Sequence, residues 1–107
     1  MALTAQEKKA RQRASVTGYA KSRESDWKRR GIQNASYTTY LEKIVEQHAA
    51  CSICGRVVDN TSALDHDHLT GQARGVLCSS CNLLIGGMND NAALLRSAAN
   101  YLDRWAN

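Results

Sequence analysis

Apolar residues recur at helical spacing in the middle of the chain and again at its end, while the first thirty residues are mostly polar. Tyr37, Tyr40, Leu41, Ile44, Val45 and His48 follow the i, i+3, i+4, i+7, i+8, i+11 pattern of one helix face, with Ser36 placed as the N-cap. Leu94, Leu95, Ala98, Ala99, Leu102 and Trp105 repeat that spacing and predict an amphipathic helix over Asn91 to Trp105. Upstream, Thr4-Ala5-Gln6-Glu7 has the form of a capping box, and Lys8 to Lys28 is rich in helix formers. Its apolar residues (Ala10, Ala14, Val16, Tyr19, Ala20, Trp27) are sparse, so a basic helix is expected there that packs against little, with Gly18 as a point of interruption. Between these helices, Arg56 to Val58 and Ala63 to His66 read as short β segments joined by a turn at Asp59-Asn60. A second turn follows at Thr70-Gly71, then a short helix over Asn82 to Ile85 and a break at Gly86-Gly87.

At 107 residues the chain amounts to one small domain, and its 6% aromatic content with no Phe promises only a thin core. Some further cross-link is expected. No apolar run approaches the roughly 18 to 20 residues of a membrane span, and the Lys/Arg-rich start lacks the features of a secretory signal, so a cytoplasmic protein is expected. Charge is uneven: residues 1–50 carry ten Lys/Arg against five Asp/Glu, and residues 51–107 carry four Arg against five Asp. The basic excess therefore belongs to the N-terminal half and points to an anionic partner such as nucleic acid. Arg11, Arg13, Lys21, Arg23, Lys28, Arg29 and Arg30 are its candidate phosphate contacts; a solvated helix surface is the plainer reading.

The cross-link is supplied by Cys51-Ser52-Ile53-Cys54 and Cys78-Ser79-Ser80-Cys81, two knuckles of identical spacing. Four thiolates suit tetrahedral Zn²⁺ and leave no open position for a substrate, so the metal there is expected to be structural. An iron–sulfur cluster and a redox pair are the competing readings, but the paired two-residue spacings fit zinc knuckles and match neither ferredoxin pattern. Between the knuckles, Asp65-His66-Asp67-His68 alternates carboxylates with imidazoles. Such a segment is often no more than a polar strand-to-loop junction. It also unites a hard-oxygen metal ligand with a base titrating near neutrality, which together can activate water.

The run Cys51-x-x-Cys54-Gly55, Leu64-Asp65-His66-Asp67-His68-x-Thr70-Gly71-x-x-Arg74-Gly75-x-Leu77-Cys78-x-x-Cys81-Asn82, then Gly86 and Ala98-x-x-Tyr101-Leu102, closely resembles the recombination endonuclease VII family of phages, within the His-Me finger (HNH) nucleases. The similarity begins upstream at Tyr37-x-x-Tyr40-Leu41 and Gln47, and spans roughly residues 31 to 103. It implies an α+β fold: a zinc-stapled ββα-metal core (residues 36–107) flanked by a basic helical DNA-contacting extension (residues 1–35) and a C-terminal amphipathic helix.

The resemblance further implies that His66 is the general base and that Asp65 and Asn82 hold a catalytic Mg²⁺ or Mn²⁺ ion for hydrolysis of DNA phosphodiesters. His68 is expected to contact the phosphate or orient the site, Arg74 to hold a neighbouring phosphate, and Asp67 to orient a histidine or an arginine. Any third acidic ligand has to come from Asp90 or elsewhere, because Leu83 to Asn89 contains no carboxylate. Two geometric points bear on this. Successive residues of a regular strand face opposite ways, so β structure has to end or bend at Asp65-His66. Members of the family resolve branched DNA as dimers through helices after the second knuckle, and the stretch after Cys81 is short for that purpose. Nicking or cutting of duplex DNA therefore competes with Holliday-junction resolution by a homodimer, and a zinc-stabilised DNA-binding module without chemistry is the alternative of a different class. A phage-encoded protein of this kind would work in the host cytoplasm. Tyr37, Tyr40, Tyr101, Trp105 and His48 are expected to pack in the core, and Trp27 either to pack or to stack on DNA.

Overall fold

The computed structural model describes residues 4–106, apart from the side chains of residues 6–17. Among the described residues, four helices and one two-stranded sheet follow in the order α1 (Ala5–Arg29), α2 (Tyr37–Glu46), β1 (Ala63–His66), β2 (Ala73–Leu77), α3 (Ser79–Gly87) and α4 (Ala92–Trp105). This is the expected α+β class. No helix among the described residues is long and apolar enough to cross a membrane.

Helix α1 runs through Gly18 without a break, because a glycine lowers helix stability by only about 1 kcal/mol and removes no hydrogen bond. The side chains of Ala10, Arg11, Arg13, Ala14 and Val16 lie outside the described residues. Its second half packs more than its composition suggests. Trp27 is buried against Tyr40, with ring centroids 5.1 Å apart, and Arg23 lies 5.2 Å over both rings. Arg23 also donates to the Ser62 carbonyl at 2.7 Å, so it braces the 59–62 turn instead of facing solvent. Tyr40 donates to the carbonyls of Asp59 (3.0 Å) and Ser62 (2.6 Å), and burial pushes its hydroxyl pKa up to about 12.

Ser36 caps α2: its hydroxyl accepts from the Thr39 N–H at 3.1 Å, and the Thr39 hydroxyl accepts from the Ser36 N–H at 3.1 Å. Three helices then end by one geometry, in which a residue in the left-handed region follows the cap. Gly31 (φ 81°), His48 (φ 52°) and Asn89 (φ 54°) hold that position after α1, α2 and α3. In each case the next residue's N–H reaches back five positions: Ile32 to Trp27 at 3.0 Å, Ala49 to Ile44 at 2.9 Å, Asp90 to Ile85 at 2.9 Å. Here the structure corrects two expectations. His48 sits in the turn after α2, exposed, and not on its apolar face. Gly86 and Gly87 form the last turn of α3, and the break falls at Asn89-Asp90.

The sheet also differs from the expected pairing. Ala63–His66 pairs antiparallel with Ala73–Leu77, whereas Val57 makes only an isolated bridge with Ala50. The turn between the strands is built by Asp67, whose carboxylate accepts from the N–H groups of Leu69 (2.8 Å) and Thr70 (3.0 Å). Asp67 is thus a turn former, and among the described residues its carboxylate bonds neither a histidine nor an arginine, contrary to expectation. Gly71, at φ 78°, closes this turn against the Gly31 carbonyl, where any side chain would collide.

The core joins Trp27, Ile32 and Tyr40 to Leu64, Val76 and Leu77, so α1, α2 and the sheet share one interior. Helix α4 contributes nothing buried: Leu102 and Trp105 are 67% and 75% exposed, and Tyr101 is exposed as well. Tyr101 and Trp105 are therefore surface residues, contrary to expectation: α4 is capped by Asn91 and buries none of its residues. Because Trp27 fills the junction of α1 and α2, Trp27→Ala is expected to cost about 3 to 5 kcal/mol in urea unfolding of metal-loaded protein. A loss below about 1 kcal/mol would show that α1 is not part of the core.

Candidate active site and metal centre

Cys51 and Cys54 sit in the loop after α2, and Cys78 and Cys81 flank the start of α3. Their four sulfurs lie within 4.8 Å of one another, and those of Cys54 and Cys78 are 3.7 Å apart. A tetrahedral ion with bonds of about 2.3 Å to sulfur requires sulfurs about 3.8 Å apart, so this spacing fits zinc. The thiols also need a cation. Burial raises Cys51, but the N–H groups of Cys54, Cys78 and Ile53 outweigh it and bring its pKa down to about 6. Cys81 is pushed up to about 12 by burial and by the three neighbouring thiols, since four thiolates at this distance cannot coexist without a positive ion.

The loop is tied to the sheet by Gln47. Its amide nitrogen donates to the carbonyls of Ala50 and Val76, both at 2.9 Å, and its oxygen accepts from the Val76 N–H at 2.8 Å. A side chain at Gly75 would meet Ser52 Oγ at 2.7 Å, so the knuckle loop rests directly on β2. Gln47 was part of the sequence resemblance, but nothing in the sequence indicated that it binds a strand.

Between β1 and α3 lies an open cleft of about 850 Å³, and Asp65, His66, His68, Asn82 and Asp90 all line it. The strand problem at Asp65-His66 is solved by a register shift. Leu64 pairs with Val76 and His66 with Ala73, so Arg74 and Gly75 together stand across from the single residue Asp65. The strand then ends at His66, and both residues line one cleft. Asp65 is 7% exposed, and its charge is compensated by a two-pronged pair with Arg74: Nε to Oδ2 at 2.6 Å and an η nitrogen to Oδ1 at 3.0 Å. Burial, with the neighbouring His68, lowers the His66 pKa against the pull of Asp65, which favours the neutral, proton-accepting imidazole. Asn82 stands in the first turn of α3, one residue after Cys81, so the sulfur cluster fixes its place.

Of the expected phosphate contacts, Arg30 lines the same cleft while pairing with Asp26 at 3.0 Å, and Arg29 is exposed beside it, 3.4 Å from Asp26. Arg74 faces the carboxylates of Asp65 and Asp90. One further contact has no signal in the sequence: His68 Nδ1 lies 2.7 Å from Asp90 Oδ2, across 22 residues. A carboxylate and an amide carbonyl in one cleft are hard oxygen donors suited to Mg²⁺ or Mn²⁺, so Asp65 and Asn82 fit such an ion, with Asp65 sharing its oxygens with Arg74.

The sequence model of the recombination endonuclease VII family matches residues 26–104. The chain is 41% identical over 59 residues to the gene 59 protein of Mycobacterium phage D29, a match covering 52% of this chain and 36% of that protein. It is 39% identical over 59 residues to the gene 59 protein of Mycobacterium phage L5, with the same shares covered. The matched part thus spans little more than a third of the length of these relatives. None of the solved structures matches the chain.

Purified protein should contain one zinc per chain. Such sites contribute about 10 to 16 kcal/mol, comparable to or larger than the whole stability of a small domain, so chelation should unfold residues 51–81. Elemental analysis and circular dichroism before and after chelation check this; a zinc-free or chelated protein that stays folded contradicts it.

Proposed function

Since the chain belongs to the recombination endonuclease VII family, we propose that it is a metal-dependent DNA endonuclease of the His-Me finger (HNH) type, hydrolysing phosphodiester bonds in the cytoplasm of a phage-infected host. The observation that carries this reading is the meeting of Asp65, His66 and Asn82 in one cleft. A binding module without chemistry would not need that set. The four cysteines hold a structural zinc.

His66 takes a proton from a water molecule, which attacks phosphorus in line and leaves a 5′-phosphate and a 3′-hydroxyl. Asp65 and Asn82 would hold a Mg²⁺ or Mn²⁺ ion, which when bound would neutralise charge on the phosphate and the departing 3′ oxygen. Arg74 shares the Asp65 carboxylate and supplies positive charge at the same place. His68 contacts the phosphate. Arg30, exposed at the edge of the cleft, and Arg29 beside it hold flanking phosphates.

The boundary near residue 35 separates a basic DNA-contacting part from the nuclease part by charge, although Trp27 and Ile32 complete the core of the latter. A second reading, a homodimer that resolves branched DNA, is favoured by one observation: α4 carries an apolar side, with Leu94, Leu102 and Trp105 exposed, that a second copy could cover.

Single-turnover cleavage tests the chemistry. His66→Ala should lose about 10² to 10⁴ in rate while still binding DNA. Asn82→Ala should be partly restored by higher Mg²⁺, and His68→Ala should lose less than His66→Ala. Near-normal cleavage by folded, zinc-loaded His66→Ala would remove His66 from the base role. Binding tests the N-terminal part: deletion of residues 1–17 removes Lys8, Lys9, Arg11 and Arg13. That should weaken DNA binding and reduce the salt slope by up to about 3 to 4, with cleavage recoverable at high enzyme concentration. An unchanged slope would exclude this segment from the interface.

A further inference from the structure

The chain between α3 and α4 holds two consecutive residues other than glycine in the left-handed region, Asn89 (φ 54°) and Asp90 (φ 56°). The same pair of left-handed residues, His48 (φ 52°) and Ala49 (φ 54°), follows α2, so the conformation belongs to the helix ending, and what distinguishes this one is where it sends the Asp90 side chain. Here the N–H groups of Asn89 and Asp90 close the end of α3 on the carbonyls of Gly86 (3.0 Å) and Ile85 (2.9 Å), and Asn91 immediately caps α4. The result turns the Asp90 side chain back onto the turn after β1. There its Oδ2 lies 2.7 Å from His68 Nδ1 and 3.4 Å from a guanidinium nitrogen of Arg74. The His68 contact, with help from Arg74 and against burial, holds the Asp90 carboxyl below its ordinary pKa. An ionised carboxylate can only accept, so the proton between the two groups belongs to Nδ1.

This pair has little to offer stability. The His68 side chain is 61% exposed, and ion pairs so open to water contribute little to folding. A left-handed backbone that aims a carboxylate at an exposed imidazole makes better sense as an arrangement of the site. Hydrolysis by His66 leaves Asp90 without a task. The two histidine rings stand only 4.6 Å apart, and a His68 free to rotate could also engage the neighbouring base.

We propose that Asp90 is a positioning residue for His68: by taking the Nδ1 hydrogen bond it fixes the ring so that Nε2 remains to hydrogen-bond the phosphate being cleaved. The assignment rests on the nuclease reading of the cleft. Among the described residues Nε2 has no partner, and His68 lines the cleft with His66 and Asn82. Which ring nitrogen carries the proton is set by the bond the other one makes, so Asp90 decides what His68 can offer to DNA. Arg74 holds the same carboxylate from β2 and keeps it from turning away.

A double-variant cycle tests this, using zinc-loaded full-length protein and single-turnover DNA cleavage at saturating Mg²⁺. Asp90→Ala should slow cleavage about 10- to 100-fold, as outer partners of site histidines commonly do, with DNA binding unchanged. In a His68→Ala background the same change should cost less than about twofold, because nothing remains to be positioned. Asp90→Asn keeps an acceptor oxygen and should recover part of the rate; it also replaces Asp90→Ala in the cycle should that variant fail to fold. A loss that persists in full without His68, or one abolished by more Mg²⁺, would overturn the proposal, the second by marking Asp90 as a cation ligand.

Nitrogen NMR of the imidazoles supplies a readout that needs no activity. His68 Nδ1 should be protonated in the native protein and lose that preference in Asp90→Ala, and an Nδ1 signal indifferent to Asp90 contradicts the pairing. Wild-type protein that cuts no DNA would instead bring down the nuclease reading, whereas wild type that cuts with an additive cycle would bring down the Asp90 assignment alone.

Discussion

The four-sulfur cluster is the constraint on which the other features rest. It joins the loop after α2 to the first turn of α3, and Asn82 follows directly on Cys81. The buried core is small, and Trp27, Tyr40, Leu64 and Val76 make up much of it. Few apolar contacts hold α3 to the strands: Cys81 is its one buried residue, and Ile85 is only partly covered. Closure by a metal on these four cysteines would do for α3 what packing does in a larger domain. Without it, nothing fixes the distance between the amide of Asn82 and the carboxylate of Asp65.

The second constraint is local and lies in the backbone of the sheet. A regular strand would turn Asp65 and His66 to opposite faces, but here β2 carries an extra residue across from Asp65 and β1 ends at His66, and both residues line the cleft. The same shift sets Arg74 across from Asp65, where its fork neutralises a nearly buried carboxylate. Gln47 and Gly75 hold this part of β2 against the knuckle loop, so the strand irregularity and the metal centre support each other. The cleft is thus assembled from short pieces, none of which would keep its shape alone.

How much of this could be read in advance depended on the range of the interaction. The cysteine quartet was legible because ligand spacing is written in the sequence, and α2 because its apolar period and the Ser36 cap agree. Asp65, His66 and Asn82 were legible only through the family resemblance; the structure gathers them in one cleft. Strand β2 escaped notice because Ala73-Arg74-Gly75-Val76-Leu77 lacks a clean alternation and takes its shape from pairing with β1. Gly86-Gly87 looked like a helix break, yet α3 continues to Gly87 and ends where Asn89 turns left-handed. The stripe of α4 reads as a core helix, although the described residues leave none of it buried. No motif joins Asp90 to His68, and only the helix ending that turns the chain back brings them together.

The central claim is that this cleft breaks phosphodiester bonds and does so with a divalent cation. Zinc-loaded wild-type protein, freed of other metals and incubated with supercoiled plasmid and four-way-junction DNA, tests it most directly when Mg²⁺ is the only added variable. The account predicts cleavage that requires Mg²⁺ and leaves nicks that DNA ligase can seal without prior treatment, as a 5′-phosphate beside a 3′-hydroxyl must allow. DNA that is bound but left intact at every Mg²⁺ concentration would contradict it.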